Sequence, residues 1–226
     1  MNKFKKTIVI IPARGGSQRL PKKNIRYLAK KPLIEYSIAY ALFNMDIVDE
    51  VYVSTDNEKI KNISLQLGVK VIDRPEHLSG DNEPTVTALK HVLQSLNHKI
   101  ENVILLQPTN PLRPKDLLKD CFQAFENGNY DSAMTVSRNH QKFGIIEDGK
   151  FVPYNYEFGQ RSQDLEPLYF ENGLLYITKS SLILEEKIMG DKNLPFIVDH
   201  PFANIDIDTK EDLLMAEFYL SKYLND

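Results

Sequence analysis

Two glycines and four cations directly follow the first apolar run of the chain. The segment reads Ile11-Pro12-Ala13-Arg14-Gly15-Gly16-Ser17-Gln18-Arg19-Leu20-Pro21-Lys22-Lys23-Asn24. Glycines let backbone N–H groups approach phosphate oxygens, and clustered Lys and Arg side chains neutralise a polyphosphate. The loop has neither the Gly-Lys-Ser/Thr of a Walker A motif nor the third glycine of a dinucleotide fingerprint. Residues 10–24 therefore predict a nucleoside triphosphate site, the alternative being a basic surface loop.

A pair of carboxylates, Asp206 and Asp208, lies near the other end of the chain. In an extended segment, residues two apart project to the same side and can share a divalent cation. Phosphoryl transfer uses such a cation to offset the charge that builds up at the phosphate. The pattern predicts a Mg²⁺ or Mn²⁺ site with Asp208 as the first ligand. The alternative is that both residues only cap the last helix.

The remaining reactive residue types give no second site. The five histidines show no zinc spacing and no nucleophile motif. Cys121, the single cysteine, stands at helical spacing from Leu117, Leu118 and Phe125, which indicates a core residue. One cysteine and no apolar run of membrane-spanning length predict a cytoplasmic protein without disulfides or a membrane anchor.

The loop and the carboxylates must be positioned by alternating strands and helices. Apolar patterns predict strands at 7–13, 50–55, 69–73, 102–106 and 131–137, and helices at 33–43, 58–67, 85–96 and 114–126. The βαβ rhythm is that of a doubly wound, mostly parallel, Rossmann-like sheet. Such sheets bind ligands at the carboxyl ends of their strands. Those ends carry Arg14-Gly15-Gly16, Ser54-Thr55-Asp56, Arg74-Pro75 and Gln107-Pro108-Thr109.

The rhythm breaks at residues 138–167, where a hairpin across Asp148-Gly149 is expected, and this segment is interpreted as an inserted lobe. The α/β pattern returns with strands at 174–178 and 196–199 and helices at 181–186 and 209–223. The 226 residues are 42% hydrophobic and 26% charged, which suits a single domain over 1–226. A net charge of −3 excludes general attraction to nucleic acid or a membrane surface.

Over nearly its whole length the sequence resembles the acylneuraminate cytidylyltransferases, also called CMP-sialic acid synthetases. The first loop carries the resemblance together with several later motifs: Val53-Ser54-Thr55-Asp56, Arg74-Pro75, Leu106-Gln107-Pro108-Thr109-Asn110-Pro111-Leu112-Arg113, Arg161-Ser162-Gln163-Asp164, Glu171-Asn172-Gly173 and Asp206-Ile207-Asp208-Thr209. The resemblance implies a nucleotidyltransferase fold, with CTP and a 2-keto sugar acid as substrates.

Roles for individual residues follow from the resemblance. It implies that the nucleotide is bound by Ala13, Arg14, Gly15, Gly16, Ser17, Lys23, Asn24, Arg74 and Thr85. Arg14, Lys23 and Asp208 are the expected catalytic residues, and Asp206 and Asp208 the metal ligands. On the sequence alone, Arg74 could instead form a structural salt bridge, and Thr85 could be the N-cap of the helix after Pro84.

The acceptor's carboxylate and hydroxyl groups require a cation and neutral hydrogen-bonding groups. Gln107, Arg161, Gln163 and Asn172 are the expected acceptor-binding residues, although Gln163 could belong to a solvated loop. Glu171 replaces a basic residue plus proline of some bacterial relatives, which leaves the sugar acid open. The resemblance also implies a homodimer formed through the lobe.

Other activities remain open at this stage. They are a cytidylyltransferase for pseudaminic or 3-deoxy-manno-octulosonic acid, a sugar-1-phosphate nucleotidyltransferase, and a non-enzymatic ligand sensor. A Leu-Pro-Gly-Lys-Pro loop would favour the octulosonate enzymes, whereas this chain has Leu20-Pro21-Lys22-Lys23-Asn24. Retention of both aspartates argues against a sensor.

Overall fold

A computed structural model describes residues 6–223, so the basic N-terminal stretch before Lys6 lies outside the described residues. Eleven strands occur in that part of the chain: β1 (Thr7–Pro12), β2 (Tyr27–Leu28), β3 (Lys31–Pro32), β4 (Glu50–Thr55), β5 (Lys70–Asp73), β6 (Asn102–Leu105), β7 (Ser132–Arg138), β8 (Gly144–Glu147), β9 (Lys150–Pro153), β10 (Tyr169–Lys179) and β11 (Asn193–Ile197). The same residues contain six α-helices: α1 (Leu33–Phe43), α2 (Glu58–Gln66), α3 (Thr85–Ser95), α4 (Leu117–Asn127), α5 (Ser180–Leu184) and α6 (Lys210–Lys222).

Seven strands form the central sheet in the order β11-β7-β10-β6-β1-β4-β5. All neighbours are parallel except β10, which runs antiparallel to both β6 and β7. The predicted mostly parallel α/β sheet is confirmed. Because β10 is reversed, its amino end lies at the same edge as the carboxyl ends of the other strands. That edge carries the polar loops.

The sheet is covered on both faces, as its alternating side chains require. Val9 and Ile11 of β1 belong to an apolar cluster with α1, α2 and α4, whereas Ile8 and Ile10 belong to a cluster with α3 and α5. Each of these four side chains is fully buried. The near-continuous apolar run in β1 therefore reflects helices on both sides of the sheet.

The fourth helix begins later than predicted. The sequence pattern places its start at Pro114, but α4 begins at Leu117. The Tyr40 hydroxyl explains the delay, because it donates to the Pro114 carbonyl at 3.2 Å and accepts from the Leu118 N–H at 2.9 Å. A tertiary contact thus fixes the start of this helix. Cys121 lies on the same helix and is buried, as expected for a core residue. Burial raises the pKa of its thiol to about 12.

The segment between β7 and β10 leaves the central sheet and contains a separate hairpin of β8 and β9. Asp148 and Gly149 occupy its turn with φ of 48° and 75°, which confirms the predicted Asp-Gly hairpin. Within residues 6–223, none of the helices combines the length and apolar character that crossing a bilayer requires.

Candidate active site

A cavity of about 720 Å³ opens at the carboxyl edge of the sheet between the first loop and the segment after β5. Arg14, Ser17, Lys23 and Asn24 line one side. The other walls include Arg74, Gly80, Asp81, Thr85, Gln107 and Asp208. Most of the predicted nucleotide-binding residues are therefore brought together, and the predicted metal ligand Asp208 joins them from near the other end of the sequence.

Arg14 is bound to the opposite wall of this cavity. Its guanidinium donates to the Gly80 carbonyl at 2.5 Å and lies 2.9 Å from an Asp81 carboxylate oxygen. The Gln18 side-chain amide donates to the same carboxylate. Asp81 therefore holds two polar groups of the first loop by contacts that a bound phosphate could replace.

Two further loop cations converge on Asp208. Lys23 Nζ lies 2.7 Å from one carboxylate oxygen, and an Arg19 guanidinium nitrogen lies 2.6 Å from the other. Apolar packing explains this meeting, because Leu20 and Ile207 are both buried in a third apolar cluster. Arg19 precedes Leu20 in the chain, and Asp208 follows Ile207. Packing of the two apolar side chains against each other therefore brings the cations of the loop to the Asp208 carboxylate.

The two glycines of the loop have different surroundings. The Gly15 N–H donates to an Asp56 carboxylate oxygen at 2.8 Å, so it is already engaged. A Cβ on Gly15 would lie 2.7 Å from the Asn57 side-chain nitrogen, which explains why this position needs glycine. Gly16 faces open space. Ala13 is fully buried and donates its N–H to the Ser54 carbonyl at 2.9 Å. These three residues shape the loop without lining the cavity.

Arg74 and Asn24 are buried residues that line the first cavity. Arg74 is only 8% exposed and binds Ser54 through its hydroxyl at 3.1 Å and its carbonyl at 2.6 Å. Burial lowers the pKa of Arg74 to about 10, so it stays a cation at neutral pH. Asn24 is buried and donates to the Arg14 carbonyl at 2.9 Å. The structural salt bridge considered for Arg74 is replaced by bonds to β4.

Thr85 lines the cavity but does not cap α3. Pro84 occupies the N-cap position, and Thr85 is the first residue of the helix, with no side-chain cap bond. The capping interpretation of Thr85 is therefore wrong, and Thr85 lines the same cavity as Arg74.

A second cavity, of about 800 Å³, adjoins the first, and Gln107 lines both. Its polar walls also include Asn110, Arg138, Asn139, His140, Gln141, Glu171, Asn172, Tyr176 and Asp206. The backbone of Gln107 is held in place, because the buried Arg113 donates to the Gln107 backbone carbonyl at 2.8 Å. Amide, cationic and carboxylate groups together suit a polar ligand bearing many hydroxyls.

Asn172 borders this second cavity, but its side-chain amide is hydrogen-bonded to other residues of the protein. It accepts from the Thr135 hydroxyl at 2.5 Å and donates to the Ser137 hydroxyl at 3.0 Å. Next to it Gly173 has a φ of 73°, and a Cβ there would lie 2.8 Å from the Asn110 side chain. Asn172 and Gly173 therefore pack β10 closely against the loop after β6, which carries Asn110.

Asp206 and Asp208 line the second and the first cavity respectively. Partial burial of the Asp206 carboxyl raises its pKa, and the nearby Asp208 carboxylate adds to the effect. Neither caps the last helix. Thr209 and Asp212 form a reciprocal capping box there, with the Asp212 N–H bound to the Thr209 hydroxyl at 3.2 Å. The alternative interpretation of the pair as helix caps is therefore wrong.

Two predicted acceptor residues lie elsewhere. The Arg161 guanidinium pairs with Asp164 at 2.7 Å on the exposed lobe, and neither Arg161 nor Gln163 lines the two cavities. Conversely, sequence reasoning missed Asp81, Arg138 and other wall residues. Arg138 ends strand β7 at the carboxyl edge, and this position was a usable signal, whereas Asp81 stands in a loop without a motif.

The fold and site define an α/β protein with a polyphosphate-sized cationic cavity beside a polar second cavity. A family model described as Cytidylyltransferase matches residues 8–220. The chain therefore belongs to the cytidylyltransferase family.

Three curated relatives illustrate the range of that family. An N-acylneuraminate cytidylyltransferase of Streptococcus agalactiae serotype III is 32% identical over 216 residues, covering 92% of this chain and 52% of the relative. This chain thus spans about half of that relative's length. A pseudaminic acid cytidylyltransferase of Campylobacter jejuni is 34% identical over 221 residues, covering 94% and 95%. A CMP-N,N'-diacetyllegionaminic acid synthase of Legionella pneumophila is 33% identical over 225 residues, covering 93% and 94%.

Solved structures share the fold at lower identity. A CMP:2-keto-3-deoxy-manno-octonic acid synthetase complexed with CTP superposes with a TM-score of 0.71 at 18% identity, covering 96% of this chain and 99% of that one. A 4-diphosphocytidyl-2C-methyl-D-erythritol synthase from Anaerococcus prevotii gives 0.66 at 16% identity, covering 96% and 99%. These likenesses confirm the nucleotidyltransferase-like architecture.

Proposed function

We propose that the protein transfers CMP from CTP to the anomeric hydroxyl of a sialic-acid-like 2-keto sugar acid and releases pyrophosphate. One observation carries the proposal: Asp208 faces the cationic cavity while Asp206, two residues away, faces the polar one. A pair placed at this boundary is suited to the point where two substrates meet. The names of the three relatives support sialic, legionaminic and pseudaminic acids as the acceptor range.

The chemistry is a direct displacement. The anomeric oxygen attacks the α-phosphorus and its hydroxyl proton passes to water, while the bond from that phosphorus to the pyrophosphate oxygen breaks with its electron pair. Arg14, Arg19 and Lys23 bind the triphosphate and stabilise the charge that moves onto pyrophosphate. Arg74 and Thr85 border the cytidine side of the cavity. Gln107, which lines both cavities, positions the acceptor beside the α-phosphate.

The two aspartates fit Mg²⁺, or Mn²⁺, as the cofactor. In the described part of the chain no cluster of three or more His, Cys, Asp or Glu residues could hold a metal, so the protein supplies at most this pair. Mg²⁺ binds in that way, through one or two carboxylates with water and substrate phosphates as further ligands. When bound, the ion would supply Lewis-acid stabilisation of the phosphate charge.

Binding of CTP requires an exchange of partners within the chain. Lys23 and Arg19 neutralise Asp208, and Asp81 neutralises Arg14. A triphosphate offers these cations a higher charge than a carboxylate does. Its arrival would therefore free Asp208 for the metal ion.

We propose a homodimer formed through the lobe, at residues 138–167. Its support is the exposure of large apolar side chains on and beside the hairpin: Ile145 50%, Ile146 71%, Phe151 44%, Tyr154 76% and Phe158 73%. Large exposed apolar side chains gathered in one segment are typical of interaction sites. In such a dimer Arg161 would reach the partner's acceptor cavity. Light scattering after size exclusion tests this, because a fully active monomer contradicts it.

A cytoplasmic location, where CTP is made, completes the proposal. The activity is tested by pyrophosphate release from CTP with sialic, legionaminic, pseudaminic, KDN and octulosonic acids and a sugar 1-phosphate as separate acceptors. Release with at least one nine-carbon acid supports the proposal. Release with a sugar 1-phosphate alone would show the neighbouring nucleotidyltransferase activity instead.

A further inference from the structure

A bulge in β10 places Glu171 and Tyr176 on one face of the sheet. Five positions apart, they would point to opposite faces of a regular strand. In the structure Glu171 pairs with Val136 and Tyr176 with Met134, and the register shifts between them. Val136 and Met134 stand two apart on β7, so residues opposite them share a face. The extra residues of the bulge therefore bring Tyr176 back beside Glu171.

The Tyr176 hydroxyl donates to one oxygen of the Glu171 carboxylate. Tyr176 itself is only 6% exposed, so packing holds this donor in place. Within residues 6–223, Glu171 makes no ion pair. Arg138, which lines the same cavity, donates to the Leu165 carbonyl at 3.2 Å instead. The second cavity thus contains an oriented carboxylate with one oxygen left for a ligand.

We propose that Glu171, held by Tyr176, accepts a hydrogen bond from the N–H of an acylamino substituent on the acceptor and thereby selects acylamino sugar acids over hydroxyl analogues. This inference rests on the proposed function. Glu171 is the residue that determines specificity, and Tyr176 is a positioning residue.

The choice of an N–H group follows from the inventory of donors and acceptors. A hydroxyl can donate or accept, so the side-chain amide of Gln107, which lines this cavity, can satisfy it in either direction. A secondary amide N–H can only donate, and a carboxylate can only accept. With Asp206 assigned to the metal, Glu171 is the acceptor-only side chain that remains in this cavity.

Charge also favours an orientation of the acceptor in which its carboxylate lies away from Glu171. The carboxylate of a 2-keto acid is repelled by Glu171, so a position beside that residue is unfavourable for it. Arg138 and His140 line the same cavity and provide a cationic or donor wall for it. The substituted carbon chain is then left to face Glu171.

The test is the selectivity between N-acetylneuraminic acid and KDN, which differ at one carbon by an acylamino group against a hydroxyl. Glu171→Gln is expected to lower kcat/KM for the acylamino acid by roughly tenfold or more, as for loss of a charge-assisted hydrogen bond. KDN should change less than threefold, the KM for CTP should not move, and Tyr176→Phe should shift the ratio in the same direction by a smaller factor.

Glu58→Gln, an exposed carboxylate at the start of α2, is the matched control and should leave the ratio unchanged. Thermal unfolding of each variant shows that the comparison is between folded proteins. Equal losses with both acids, or an unchanged ratio, would overturn this inference while leaving the proposed function standing. Absence of pyrophosphate release by the unaltered chain with every acid would overturn both.

Discussion

The Lys23 ammonium lies 2.7 Å from an Asp208 carboxylate oxygen although 185 positions separate the two residues. Their side chains are 13% and 27% exposed, so the pair is shielded from solvent on most sides. Lys23 comes from the loop after the first strand, whereas Asp208 directly precedes the cap of the last helix. The contact joins the predicted phosphate loop to the predicted metal ligands and closes the candidate site.

Replacing Asp208 with Asn should reduce CTP-dependent pyrophosphate release by about a hundredfold or more, because electrostatic groups at a reacting phosphate contribute several kcal/mol. Steady-state kinetics across a Mg²⁺ titration is the measurement. Asp191→Asn, which changes an exposed aspartate far from both cavities, is the control. Full activity in folded Asp208→Asn would refute the assignment of this residue.

Removal of the Arg14 guanidinium should weaken the nucleotide site. Arg14→Ala is expected to lower kcat/KM for CTP by about a hundredfold while leaving the KM for the acceptor almost unchanged, since its place is among the phosphates. Kinetics with each substrate varied in turn measures this split. Lys30→Ala removes an exposed cation outside the cavity and should have no effect. An equal change in both KM values would contradict the nucleotide role.

Asp81 should act in the opposite direction from Arg14. Its carboxylate pairs with Arg14 at 2.9 Å and accepts from Gln18, so it competes with a triphosphate for these groups. Asp81→Asn should therefore tighten CTP binding, by several-fold, as expected for a partly exposed ion pair. Calorimetric titration with CTP measures the affinity. Weaker binding would mean that Asp81 contributes to the nucleotide complex itself.

The ionisation of Asp206 should make the free energy of unfolding depend on pH. Burial and the neighbouring Asp208 raise the pKa of its carboxyl in the folded chain, so at neutral pH its ionised form destabilises the fold. Asp206→Asn should consequently raise the urea midpoint at pH 7. The gain should shrink as the pH falls through the raised folded pKa, where the native carboxyl becomes neutral as well. Urea melts at several pH values test this.

The same substitution should reduce catalysis, because it removes a proposed metal ligand. Stability and activity are thus expected to change in opposite directions in Asp206→Asn. Asp191→Asn should show neither effect. A pH-independent change in the urea midpoint would point to altered packing and would contradict the electrostatic explanation.

Arg113 should be the most costly of these positions for folding. Its buried guanidinium donates to the Leu174 carbonyl at 2.7 Å, the Gln107 carbonyl at 2.8 Å and the Ser37 hydroxyl at 3.1 Å. Arg113→Met leaves those acceptors unpaired and should cost about 2–4 kcal/mol of unfolding free energy. Urea unfolding measures it, with exposed Lys119→Met as control. A loss no larger than the control's would disprove the bracing role.

Most elements were predictable because each depends on local pattern. The predicted helix at 33–43 and strand at 50–55 coincide with α1 and β4, since apolar spacing and flanking polar residues set both ends. The start of α4 was not predictable. It depends on the Tyr40 hydroxyl, which arrives from another helix 74 positions away from Pro114.

The bulge in β10 was equally hidden. The sequence pattern predicts a strand only from residue 174, whereas β10 starts at Tyr169 and pairs with β7 on both sides of the irregularity. Asn172 was expected to bind the acceptor, and it does line the cavity, but its amide is held by Thr135 and Ser137, whereas the adjacent Glu171 keeps one carboxylate oxygen for a ligand. Which of two adjacent residues points inward depends on pairing with another strand.

The sequence by itself determined the α/β class, the family and the residue types of the nucleotide loop, because these follow from short-range spacing and composition. Only the tertiary structure decided that Gly15 is required by Asn57, that Asp81 holds Arg14, and that Arg161 lies outside both cavities of its own chain. Such contacts arise when distant segments bury their apolar anchors together, as Leu20 and Ile207 do. Their geometry is fixed by packing over the whole chain, so no local pattern encodes it.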